Sequence, residues 1–178
     1  MPVPKSARSY TPRRRGQTLT EFALVVPVLF LLIMGVLDGA LLMFSVGTAR
    51  YAAAEGSRMA AQLGNASTTD SQVLTKIRDT VSGTQLFSVG EIDIYRLNQD
   101  GQGNLTQDPS KVNRYRLDGS AIGPTPWPAA SRDVGNGTSD FIGITINYKY
   151  TWKAGFFSPL GPVQTTAISY VRLEPQSY

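Results

Sequence analysis

The chain of 178 residues has no cysteine and no histidine. Without cysteine there are no disulfides and no thiolate nucleophile. Without histidine there is no imidazole base, and any bound metal would depend on oxygen ligands alone. The missing cysteine does not report a compartment, because a reduced cytosol and an exported domain without disulfides both permit it. Negative charge is also missing from the opening segment. The first sixteen residues hold no acidic residue but five basic ones, Lys5, Arg8, Arg13, Arg14 and Arg15. Beyond Gly16, twelve basic residues face thirteen acidic ones, so the net charge of +4 is a property of that opening segment. A basic tail can bind nucleic acid through phosphate contacts. This one abuts an apolar run, where basic residues set membrane topology instead, and no nucleic-acid partner is expected.

Charge disappears altogether from Phe22 to Leu37. A spanning helix needs about 20 predominantly apolar residues, and Leu19 to Phe44 supplies them, with Glu21 near one end and Asp38 near the other. A helix entering the bilayer at Leu19 places Asp38 roughly 28 Å further along, at the far interface, where its carboxylate is expected to reach water. The arginines should stay cytoplasmic and everything beyond Asp38 extracytoplasmic, giving a single-pass membrane protein. An ordinary cleaved signal fits poorly. The apolar run is too long, and a cut after Ala40 would put Asp38 where a small residue is wanted. No apolar pair follows Arg13 and Arg14, so a twin-arginine signal fits poorly too. Pro27 within the span predicts a kink or loosened turn. Gly35 and Gly39 form a G-x-x-x-G pair that would let another helix approach.

The junction admits two readings. Thr18-Leu19-Thr20-Glu21 fits a capping box, with Thr18 as cap and Glu21 reaching back to it, and a first-turn carboxylate suits the helix dipole. Neither accounts for a glycine between three arginines and the cap. Cleavage after Gly16 would free an α-amino group on Gln17 and make Glu21 the fifth residue of the new chain. A Glu on a neighbouring subunit's helix can then supply the counter-charge such an ammonium needs near lipid.

Gly16 followed by Gln17-Thr18-Leu19-Thr20-Glu21-Phe22 resembles the processing site of type IV pilins in the form used by the Tad (tight adherence) branch. Phe22 stands where tyrosine is usual. Arg13 to Leu29 is similar to the beginning of TadE-like proteins, minor pilins or pseudopilins, and Ala49 to Arg58 and Ala167 to Glu174 resemble their alanine-rich turn and last strand. The likeness is specific through the alanine-rich turn and one of style in the β-rich remainder. It implies cleavage after Gly16 by a prepilin peptidase, with Gly16, Gln17, Glu21 and Phe22 as processing residues and Arg13, Arg14 and Arg15 guiding the leader. It also implies a role in assembling an adhesion pilus or related secretion apparatus, with the peptidase, other pilins and an inner-membrane platform as partners.

The expected fold is α+β: a long N-terminal transmembrane and stalk helix, a short second helix and an antiparallel sheet. The segments are a leader at 1–16, a transmembrane helix at 17–45, a helical stalk at 46–64, a loop and short helix at 65–87 and a β-rich domain at 88–178. Ala49, Ala52, Ala53, Gly56 and Ala60 make a small-residue stripe for close packing within the chain. Asp70 or Ser71 should cap the second helix, whose Val73, Leu74, Ile77 and Val81 share a face, with Ser82-Gly83 ending it. Ile92, Ile94 and Leu97 mark one strand, Asp100 to Asn104 a turn, and Val112 to Leu117 a strand placing Arg114 and Arg116 on one face. Ala121 to Thr138 is a proline-rich loop expected to fold Trp127 onto the sheet. Phe141 to Trp152 alternates with period two, and a last strand runs from Val163 to Leu173.

No hydrolase elbow, Walker loop or zinc-protease motif occurs, so no enzyme, cofactor or metal is expected. Glu91 and Asp93 share a strand face, a spacing that can bind calcium or serve acid–base chemistry but more often marks a solvated face. Asn65, Asn104 and Asn136 open N-x-S/T triplets that matter only in a glycosylating host. The alternative is an uncleaved, membrane-anchored extracytoplasmic binding protein.

Overall fold

The structure is a computed structural model and describes residues 15–135 and 137–174. Helix α1 spans Arg15–Leu63, α2 Thr69–Ser82, and strands β1 to β4 span Phe87–Gln99, Leu105–Tyr115, Phe141–Tyr150 and Val163–Arg172. Every strand pairing is antiparallel and the sheet order is β2-β1-β3-β4. The expected α+β class holds.

The second half of α1 is built to lie close to the sheet. Ala49, Ala52, Ala53 and Ala60 are fully buried. A Cβ on Gly56 would meet Ile77 at 3.0 Å and Ile144 at 3.3 Å, so a side chain there would push α1 off both α2 and the sheet. From the sheet, β1 and β3 present Ile92, Ile94, Ile142, Ile144 and Ile146, all fully buried, with Ile92 opposite Ile146 and Ile94 opposite Ile144. From α2 come Val73, Leu74, Ile77 and Val81. Alternation in the strands and helical spacing in α2 each direct one apolar face to a shared core, the principal source of stability in such a domain.

Four expectations about element ends are corrected. The N-cap of α2 is Thr68, not Asp70 or Ser71, and Asp70 sits in the first turn with work elsewhere. Strand β2 begins at Leu105 and ends at Tyr115; Arg116 belongs to a turn closed by Ser120 and Gly119, so it does not share a strand face with Arg114. Strand β3 ends at Tyr150, two residues before Trp152. Helix α1 is already helical at Arg15, so Thr18 lies inside it and does not cap it, while the helix runs through Pro27 as one element.

Trp127 folds inward as expected and is 1% exposed. Asn113 on β2 makes this possible: its side chain accepts from the Trp127 amide at 3.0 Å and donates to the Trp127 carbonyl at 2.7 Å. A side-chain amide thus satisfies buried backbone that no strand reaches.

Candidate functional site

The N-terminal half of α1 is nearly bare. Leu19, Phe22, Leu24, Val25, Val28, Leu29, Phe30, Leu31 and Leu32 all expose half or more of their surface. Only 6% of the most apolar eighteen-residue stretch is buried within the molecule, and this helix is long and apolar enough to cross a membrane. Its 49 residues span roughly 74 Å, more than twice the ~30 Å of a hydrocarbon layer. One half can therefore sit in lipid while the other serves the domain core. Arg13 and Arg14 lie outside the described residues, and for Arg15, Gly16 and Gln17 only the backbone path is described. Glu21 and Phe22 are both exposed on the first turns of α1.

Asp38 departs from expectation. It does not reach water: its residue exposure is 0%. Oδ1 accepts from the amides of Lys153 at 3.1 Å and Ala154 at 2.7 Å, and Oδ2 from the amide of Phe157 at 3.4 Å. The hydroxyl of Tyr150 approaches the Asp38 carbonyl at 3.4 Å. The carboxylate thus satisfies backbone donors of the β3–β4 loop that have left the ladder, which is also why β3 stops before Trp152. At the same level Phe156 packs on Gly35, 3.5 Å from where a Cβ would stand, with Phe157 at 3.9 Å. Of the G-x-x-x-G pair, Gly35 is therefore covered by the chain's own loop, whereas Gly39 faces open space.

The paired carboxylates on β1 lie on the sheet face away from the helices. Arg114 approaches Glu91 at 3.4 Å, and Asn147 donates to Asp93 at 3.1 Å. Partial burial raises the Asp93 carboxyl to about 6, helped by the hydrogen bond and charge of Glu91 and opposed by Asn147 and Arg114. Among the described residues no group of three or more acidic side chains could hold a metal ion, and the pair on its own lacks the ligand number that calcium takes.

A buried polar cluster had no sequence signal. Asp70 pairs with Arg132 and accepts from Tyr115 at 2.8 Å and Asn113 at 3.1 Å. The Arg132 side chain is fully buried and its guanidinium lies 4.6 Å from the centre of the Trp127 ring. Burial, with the Asp70 charge beside it, pushes the Tyr115 hydroxyl upward. The cluster joins the start of α2, β2 and the proline-rich loop. Its four polar members are spread over more than sixty residues of sequence, so no local pattern could reveal it.

Together these features define a class: an apolar helix capable of spanning a membrane, continuous with and locked to a small α+β domain. More particularly, residues 16–58 of the chain match the family model described as TadE-like protein, a similarity consistent with the Tad pilus system. The match opens on Gly16 and closes on Arg58, so it covers the junction, the apolar run and the alanine-rich half of α1. Neither curated proteins nor solved structures provide a match to the chain.

Proposed function

We propose that this chain is a minor pilin or pseudopilin that takes part in assembling a Tad-type adhesion pilus after a prepilin peptidase cuts it behind Gly16. The observation that carries the reading is the TadE-like match beginning on Gly16, at the head of a helix whose apolar first half is exposed. The cut would free the Gln17 amine four residues before Glu21, an ammonium and a carboxylate at the lipid edge that can pair between neighbouring subunits. Arg13, Arg14 and Arg15 would hold the leader in the cytoplasm and present it to the peptidase. Pilin subunits and an inner-membrane platform would be the assembly partners.

Removal of the whole apolar run as a signal sequence accords poorly with the fold. A cut after Ala40 would divide α1 just beyond Asp38, detaching the carboxylate that holds the β3–β4 loop.

N-terminal sequencing of the membrane-extracted full chain, co-expressed with a prepilin peptidase, tests the proposal. A start at Gln17 is expected, and Gly16→Leu should leave the leader on. An intact leader, under conditions where the peptidase processes a known pilin, favours the uncleaved anchored binding protein instead.

A further inference from the structure

The β3–β4 loop, Thr151 to Pro162, reads TWKAGFFSPLGP: three aromatic rings, one leucine, one lysine and no acidic residue. Its rings do not serve the domain core, which is closed by residues of the helices, the sheet and the Trp127 loop. The loop is nevertheless well built. The Trp152 indole donates to the Gly161 carbonyl at 2.7 Å and closes the loop on itself. Phe157 lies 5.0 Å from Trp152 and 4.7 Å from Phe156, centre to centre. Asp38 fixes the turn to α1 through three amides, and Phe156 seats on Gly35. This ordered scaffold leaves Phe156 40% and Leu160 75% exposed.

The loop's height along α1 determines what covers it. Gly35 lies roughly 24 Å and Asp38 roughly 28 Å beyond Leu19 along the helix, against a hydrocarbon thickness of ~30 Å. The helix surface around this level, including Leu31, Leu32, Met34, Val36 and Leu37, is itself exposed and apolar. The loop therefore continues the surface that the span presents to lipid. Tryptophan concentrates at that boundary because its ring is apolar and its indole N–H polar, phenylalanine and leucine bury their apolar side chains just below the headgroups, and a lysine stem can bury while its ammonium stays among phosphates.

We propose that the β3–β4 loop is a second membrane contact, in which Phe156 and Leu160 enter the headgroup–acyl boundary of the leaflet facing the β-domain while Asp38 sets the depth. The inference rests on the membrane-spanning reading of α1. Its consequence is mechanical: a single helix leaves a domain free to tilt and spin about its axis, whereas a second lipid contact beside it restricts both.

The absence of cysteine makes the test direct, since one introduced cysteine is a unique labelling site. The full-length chain is reconstituted in phosphatidylcholine–phosphatidylglycerol vesicles with brominated acyl chains. It carries an environment-sensitive fluorophore on Leu160→Cys, on Val28→Cys within the span, or on Gly101→Cys in the far β1–β2 turn. Quenching of the Leu160→Cys label close to that of Val28→Cys, with Gly101→Cys unquenched, is the expected result. A Leu160→Cys label that behaves like Gly101→Cys overturns the loop contact and leaves the span standing. A label shielded from aqueous iodide yet unquenched by lipid assigns the loop to a protein partner, which also overturns it. Loss of quenching at Val28→Cys removes the span reading and this inference with it.

Discussion

Asp93 shows how much a single side chain's setting alters what it does. Two carboxylates separated by one residue on a strand face suggest a cation site, but here Arg114 and Asn147 supply the partners and burial raises Asp93 to about 6. The sign follows from the ordinary value of 3.8: the folded state holds its proton more tightly than the unfolded chain does. Stability is therefore unaffected where both states are protonated. It falls as pH rises from about 4 through about 6, where the folded carboxyl gives up its proton. Asp93→Asn should abolish that decline. Because the residue is only partly buried, water screens the effect, and a gain of about 1 kcal/mol at neutral pH is expected, fading to nothing below the ordinary carboxylate range. Urea unfolding of the detergent-solubilised protein and its variant across this pH range measures it. A constant difference between the two at all pH values would show that the carboxyl's titration is not responsible.

Between elements, contact depends on what is missing from side chains. Helix α1 reaches α2 and the sheet because Gly56 and its alanine neighbours leave room, with Ile77 and Ile144 filling the space beside Gly56. Gly56→Leu should cost about 1–3 kcal/mol by overpacking, read as a lower urea midpoint, while Gly39→Leu, which faces open space, should leave the midpoint near that of the parent. The stripe was legible in the sequence because helical spacing repeats. The same holds for β3, whose alternating isoleucines are buried on one face only. Local pattern failed where tertiary partners decide. The first half of β2 is polar and contains Pro109, so it shows no alternation, yet it pairs with Leu97 to Gln99 at the sheet edge. Trp152 extends the period of β3 on paper, but the amides after it turn away to Asp38, more than a hundred residues earlier in the chain. Asp70 resembles a helix cap in sequence and serves instead as the anion for a buried arginine.

At the scale of the whole molecule, α1 is two helices in function joined without a break. Its contributions to the hydrophobic core begin at Ala49, and among the described residues none before Asp38 belongs to that core. The junction where the exposed apolar half becomes domain helix is marked by Asp38, and its bonds to the loop amides explain a charged residue at the end of an apolar run better than access to water does. It follows that the domain does not depend on the span to fold. A chain starting at Val36 keeps Asp38 and every core residue, so it should unfold cooperatively and show native-like circular dichroism. A chain starting at Ser45 keeps the same core but loses the acceptor for the loop amides. It should retain the sheet yet lose hydrogen-exchange protection at Lys153, Ala154 and Phe157, which the longer form preserves. Equal protection in the two fragments would mean that the loop is ordered by its own aromatic contacts. Asp38 would then be a passive neighbour of the loop and not what joins it to α1.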